Sequence, residues 1–150
     1  MTLRHLRRSE LGAELVEFAM IVPALLMLIA GIVDFALLFH SYETTTNAAR
    51  EGARLAVLPG YDANDYATAR QRVRDFIRGS GAAGDFTTTV TPLPLQVGGA
   101  PRRVEVTVTY THPFVFVGPL VGLLNGTMSS TVTFSTSSTM RTEIQAAVGP

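Results

Sequence analysis

The residues best placed to do chemistry in this chain are two carboxylates set into an apolar run. Glu17 stands at the start of the run and Asp34 toward its far end, and the sixteen residues between them carry no charge. A carboxylate at the centre of a hydrocarbon layer costs about 2.5–3.5 kcal/mol on insertion scales, and less near an interface. Each acid therefore needs water, hydrogen-bond donors or an opposite charge. For Asp34 two readings stand side by side: a shallow interfacial acid, or an intramembrane contact made within an assembly.

Other reactive groups do not assemble into a site. The three histidines, His5, His40 and His112, lack metal-ligand spacing to one another or to a cluster of Asp and Glu. With no cysteine there is no disulfide, thiolate metal site or cysteine nucleophile. Serine and threonine are plentiful, but strand alternation accounts for most of them, and no Gly-rich phosphate loop is present. Asn125-Gly126-Thr127 matches the glycosylation sequon, a three-residue pattern that arises readily by chance. Formal charge is zero, so no global basic field argues for nucleic acid. Arg70, Arg74 and Arg78 line one helical face at i, i+4 and i+8. They read either as a contact with anionic lipid or an acidic partner, or as a solvated face partly balanced by Asp75. The expectation is no enzyme, no cofactor and no metal.

The elements that hold these residues begin with the apolar run itself. A helix from Phe18 to Phe39 is roughly 33 Å long, enough to cross a hydrocarbon core of about 30 Å. Arg4, Arg7, Arg8 and His5 precede it against Glu10 alone, whereas His40 to Glu51 is nearly balanced. The positive-inside rule then puts the N-terminus in the cytoplasm and residues after about 40 outside. A removable signal has an apolar core of about 7–15 residues and a small-x-small site after it. This run is longer, and HSYETTTNAAR offers no such site near its end.

Ala48, Ala49, Ala53 and Ala56 favour continuing the helix to about 58, where Pro59-Gly60 stops it. Tyr42, Ala49, Ala53 and Ala56 fall near one face, and Glu51 and Arg54 are spaced as a surface pair. Asp62 or Asn64 can cap a second helix running to about Arg78 and closed by Gly79, with an apolar stripe of Tyr66, Ala69, Val73 and Phe76/Ile77. From Phe86 the period changes to two. Phe86–Thr91, Arg103–Thr111 and Ser129–Met140 read as strands, with Val104, Val106, Val108 and Tyr110 facing one way, and Val132, Phe134 and Met140 inward on the last. Leu95 to Pro101 is a loop. Pro113 to Leu124, PFVFVGPLVGLL, is an apolar loop or short helix. It either closes one end of the sheet or packs on the helix, or it forms an exposed patch for another subunit or the outer leaflet. The predicted fold is α+β: a long N-terminal transmembrane helix extending outward, a second short helix and a small antiparallel sheet.

Gly12 is followed by Ala13-Glu14-Leu15-Val16-Glu17-Phe18 and then the apolar run. This pattern resembles type IV prepilin-like leaders, in which a short basic segment ends in Gly and a Glu stands five residues after the cut. Together with TTTNAAREGARLAV and the closing STVTFSTSSTMR, it resembles more closely the TadE-like family of minor pseudopilins of the tight-adherence (Flp pilus) system. The resemblance implies a pilin-like fold, divided as a basic cytoplasmic leader over 1–12, a transmembrane helix over 13–39 and an extracytoplasmic, periplasmic domain over 40–150. It implies that a prepilin peptidase cuts between Gly12 and Ala13, supplying the catalytic residues itself. It also implies partners among other pilins or pseudopilins, inner-membrane assembly components and lipid, and a register role for Glu17 and Phe18. Major Flp pilins carry Glu-Tyr where this chain has Glu17-Phe18, and a sizeable outer domain suits a minor component. The alternative is an unprocessed, membrane-anchored binding or adaptor protein.

Overall fold

A computed structural model of the chain describes residues 3–58, 66–82, 84–93, 103–123, 126 and 129–141. The expected stop at Pro59-Gly60, the caps Asp62 and Asn64, the loop Leu95 to Pro101, and Asn125 and Thr127 of the sequon lie outside these residues. The chain packs as two units: Met1–Ala36 with Phe114–Ser130, and Leu37–Pro113 with Thr131–Pro150. The elements are α+β, as the change of period predicts.

Helix α1, Leu3–Ala56, is uninterrupted over 54 residues. Pro23 lies inside it and brings no N–H to the carbonyl of Ala19, an omission that apolar spanning helices tolerate. Phe18, Met20, Ile21, Leu28, Ile32 and Phe35 are all exposed. α1 is long and apolar enough to cross a membrane, and only 11 % of its most apolar window is buried, unlike the core helix of a soluble protein. The helix closes with Leu58 N–H donating to the Leu55 carbonyl at 3.2 Å, a tightened last turn directly before Pro59.

The first unit adds a short helix, α3 (Val117–Leu123), to the apolar stretch of α1. Within the apolar stretch, Val115 and Phe116 form a bend that leads into α3, Leu124 lies outside the described residues, and Phe114 N–H donates to the Ser130 carbonyl at 2.8 Å across the base.

In the second unit, α2 (Ala67–Gly79) and the strands β1 (Asp85–Leu93), β2 (Arg103–Pro113) and β3 (Thr131–Arg141) surround the outer part of α1. The sheet has order β1-β2-β3, antiparallel throughout, with Val108 opposite both Thr88 and Thr136. Strict alternation along β2 buries Val104, Val106, Val108, Tyr110 and His112. On the other face Thr109 pairs with Ser135 at 2.9 Å and Thr111 with Thr133 at 3.1 Å, hydroxyl to hydroxyl across strands. Each strand runs somewhat past its expected end. Val132, Phe134 and Met140 share the inner face of β3; Val132, opposite His112 at the start of the strand, is still 37 % exposed, while Phe134 and Met140 pack on the core.

The core forms where small residues of α1 let larger ones approach. Ala48, Ala49 and Ala53 are fully buried against Val73, Ile77, Val106, Val108 and Tyr110. Ala56 meets Tyr66, Ala69 and Val104. Tyr42 sits at the edge of this strip, half exposed, its ring 5.7 Å from that of Phe134. α2 presents Ala69, Val73 and Ile77 one turn apart, leaving Phe76 partly exposed. Its N-cap is Tyr66, in the left-handed region at φ 46° and with no side-chain cap bond. Burial of its ring with Ala56, Ala69 and Val104 offsets that backbone cost. The helix closes through Gly81 at φ +73° rather than at Gly79, with the Ser80 hydroxyl donating to the Ile77 carbonyl at 2.7 Å.

Gly52 marks the closest approach. A Cβ there would lie 2.5 Å from Cγ2 of Val73 and 3.4 Å from Cγ1 of Val106. Beside it, Glu51 accepts from Arg54 Nε and Nη2, each at 3.0 Å, and from Arg72 Nε of α2 at 3.3 Å. The Glu51–Arg54 spacing was legible; the tie to α2 required the fold. Chiefly through the Arg54 hydrogen bond, and with Arg72 assisting against some desolvation, the Glu51 carboxyl lies below its ordinary value of 4.5.

Two predictions follow from this contact. Gly52→Val should cost about 1–3 kcal/mol by overpacking. Gly79→Ala, where nothing lies within 4 Å, should be neutral or stabilise by up to about 1 kcal/mol through helix propensity. Thermal unfolding of the detergent-solubilised chain, followed by circular dichroism, measures both. For Glu51, a lowered folded-state value means that its stabilisation is present above the unfolded value and disappears as pH falls through the lowered one. The difference in denaturant midpoint between the native chain and Glu51→Gln should therefore be flat above pH 4.5 and shrink below it.

Candidate functional site

The N-terminal junction is helical and open. Gly12, Ala13, Glu14, Leu15, Val16, Glu17 and Phe18 are all exposed on α1, with Phe18 at 66 %. The Gly12–Ala13 bond lies inside an unbroken helix, and nothing lies within 4 Å of a Cβ built on Gly12. Glu17 has no hydrogen-bond or ion-pair partner among the described residues. Ala13 and Glu17 are four residues apart, one turn on the same face.

Asp34 is the opposite case. It is 1 % exposed, and its carboxylate is held by its own chain. Oδ1 accepts from the backbone N–H groups of Val115 (3.0 Å) and Phe116 (3.2 Å), and Oδ2 from those of Phe116 (3.1 Å) and Val117 (2.7 Å). Leu120 N–H donates to the Phe116 carbonyl at 3.3 Å, the first bond of α3, which makes Phe116 its N-cap position. The first N–H groups of a helix have no partner inside it and carry the positive end of its dipole. Asp34 supplies from α1 what a capping side chain supplies locally. Hydrogen bonds to a charged acceptor are worth about 1.5–3 kcal/mol each, which is on the scale needed to offset placing the carboxylate in an apolar run. The contact is therefore made within the chain, where the sequence allowed an interfacial acid or a contact to another subunit.

One polar contact went unread in the sequence. The Ser41 hydroxyl donates to the Leu37 carbonyl at 3.0 Å and lies 3.1 Å from Nδ1 of the buried His112. The Ser41 hydroxyl thus bridges the helix backbone and the His112 ring. The Thr45 hydroxyl bonds back to the Ser41 carbonyl at 2.6 Å. A lone Ser and a lone His 71 residues apart carry no spacing signal. His40 is exposed and does not join them.

Arg70, Arg74 and Arg78 do come together. They line an open cleft of about 480 Å³ between α2 and β1, with Asp85, Phe86 and Thr88 on its other side. Asp75 is engaged instead by Gln71, whose amide donates to it at 2.9 Å. Among the described residues no group of three His, Cys, Asp or Glu is arranged to hold a metal.

The family model for TadE-like protein matches residues 12–54, the span from the Gly12 junction through Asp34 to the small-residue strip of α1. No curated protein and no solved structure matches the chain. The family match supports involvement in the tight-adherence (Flp pilus) system, in association with its other components. Over residues 12–54, the helix that carries its junction, its acids and its packing strip, the chain is similar to the TadE-like family.

Proposed function

We propose that this chain is a minor pseudopilin that takes part in assembling a tight-adherence (Flp-type) pilus or a related secretion apparatus. α1 holds it in the inner membrane as a single pass, with the N-terminus in the cytoplasm and the C-terminal α+β domain in the periplasm. The observation that carries the reading is Glu17: an acid on the exposed side of an apolar helix, without a partner among the described residues, inside the segment that matches the TadE-like family. An acid in that position is relieved by a neighbour packed alongside.

In this reading a prepilin peptidase cuts after Gly12, and the chain itself performs no catalysis. The cut bond must leave its helical conformation to enter a protease. Gly12 is a natural point of opening, since a glycine inside a helix destabilises it by roughly 0.5–1 kcal/mol relative to alanine. Cleavage removes Arg4, Arg7, Arg8 and Glu10, leaving nine arginines against eleven acids, a side-chain net of −2 (9 − 11). It also creates an amine on Ala13. Within a bundle of such helices that amine neutralises Glu17 of an adjacent subunit and sets their register, because a paired charge is far cheaper in an apolar setting than a lone one.

A second reading has one observation in its favour. α1 runs unbroken through Gly12, as it would in a permanently anchored, unprocessed adaptor.

Intact-mass measurement on protein from cells that contain the peptidase separates the two. The pseudopilin reading requires a chain beginning at Ala13, and a chain that stays full length overturns it. Glu17→Ala should be cleaved normally yet abolish pilus formation, whereas Glu14→Ala, one turn from no amine, should leave both intact. Normal pili from the Glu17 variant would remove that carboxylate from the mechanism.

A further inference from the structure

The Phe114–Ser130 excursion has features that a water-exposed loop does not require. Residues 113–124 contain no charged or polar side chain. Val115 and Phe116 remain 48 % and 46 % exposed, and Pro119 is exposed as well. Yet backbone groups at both ends of α3 find partners within the protein. Asp34 takes the N–H groups of Val115, Phe116 and Val117 at its start, and Gly126 N–H donates to the Val121 carbonyl at 2.9 Å near its end. Backbone of this kind survives in hydrocarbon only when its polar groups find protein partners.

The clamp also fixes depth. Asp34 lies five residues before Phe39, the last apolar residue of the run, which is about 7.5 Å along the helix axis. Apolar faces of interfacial helices sit about 5–10 Å into the boundary between headgroups and acyl chains. The start of α3 is therefore level with the outer end of the spanning stretch, beside exposed Ile32 and Phe35 of the same helix.

We propose that the segment from Phe114 through α3 to Leu123 is a second membrane element, its Val115–Phe116 face inserted in the outer leaflet and locked to the spanning helix by the Asp34 carboxylate. The occupant of this face is lipid acyl chain. The inference rests on α1 spanning the membrane but not on cleavage or on any role in a pilus. Asp34 acts here by positioning α3, and the two unfavourable groups, a carboxylate in an apolar run and a set of orphan N–H donors, cancel each other.

Because the chain has no cysteine, single labels can be placed without ambiguity. Phe116→Cys, Leu28→Cys on the span and Ser137→Cys on β3 would each carry an environment-sensitive fluorophore. The full chain is reconstituted in phosphatidylethanolamine–phosphatidylglycerol vesicles, with and without lipid bearing a doxyl quencher high on the acyl chain. The labels at 28 and 116 should show blue-shifted emission and lose intensity to the quencher, while that at 137 should show neither. A label at 116 that behaves like 137, with 28 still quenched, overturns the proposal and leaves the anchor intact. Loss of quenching at 28 as well removes the anchor on which it stands. A label at 116 that is shielded but unquenched, and a Phe116→Cys chain that forms disulfide-linked dimers, would assign this face to a second copy and overturn the lipid assignment. Adding Asp34→Ala should abolish quenching at 116 and spare it at 28; unchanged quenching at 116 would overturn the lock.

Discussion

The outer half of α1 is useful chiefly for what it lacks, which is bulk. A three-stranded sheet and a thirteen-residue helix bury too little apolar surface to stand alone, and no disulfide is available to help them. They need a third layer, and α1 supplies it through Ala48, Ala49, Gly52, Ala53 and Ala56. Small residues carry little hydrophobic stabilisation themselves. They let Val73, Val106, Ile77 and Tyr110 come close enough to bury their own surface against a rigid backbone. Dispersion falls away steeply with separation, so any side chain larger than alanine along this strip forfeits contacts made by its larger neighbours.

Along the same helix, polar groups are handled differently as the surroundings change. In the apolar stretch Asp34 is fully buried and is served by three backbone N–H groups, the strongest donors available where no arginine or lysine is at hand. Two turns further on, Ser41 and His112 pair with each other, anchored by the Leu37 carbonyl. Beyond that, Glu51 is met by two guanidinium groups that are each about half exposed. The order follows the cost of leaving a polar group unmet, which is greatest where water is excluded and smallest at the surface. Glu17 breaks the order. It is an acid in the apolar half of the helix with no partner among the described residues, which is why a neighbouring subunit enters its explanation.

Much of the architecture was legible from period and composition. Sixteen uncharged residues between two acids predict a helix long and apolar enough to cross a membrane, alternation from Val104 to Tyr110 predicts the buried face of β2, and Ala69, Val73 and Ile77 predict that of α2. These succeed because a single element's periodicity records which of its faces meets the core. The misses have a common physical origin. Tyr66 as an uncapped N-terminus, Val132 left partly uncovered on the inner face and Gly81 rather than Gly79 closing α2 all depend on what a neighbouring element covers, which no local pattern encodes.

The candidate site divides along the same line. By itself the sequence determined the membrane-length helix, the Gly12–Ala13 junction, the position of Glu17 and the helical row of Arg70, Arg74 and Arg78, because each is set by spacing within one continuous segment. Only the tertiary structure decided what Asp34 touches, that the arginine row faces β1 across a cleft, that Ser41 meets His112, and why position 52 is glycine. The contacts of Asp34 with Val117, Ser41 with His112 and Gly52 with Val73 join residues 21 to 83 positions apart. A carboxylate reads the same in sequence whether it meets water, a partner or the end of a helix; only the donors brought to it by the fold tell these apart.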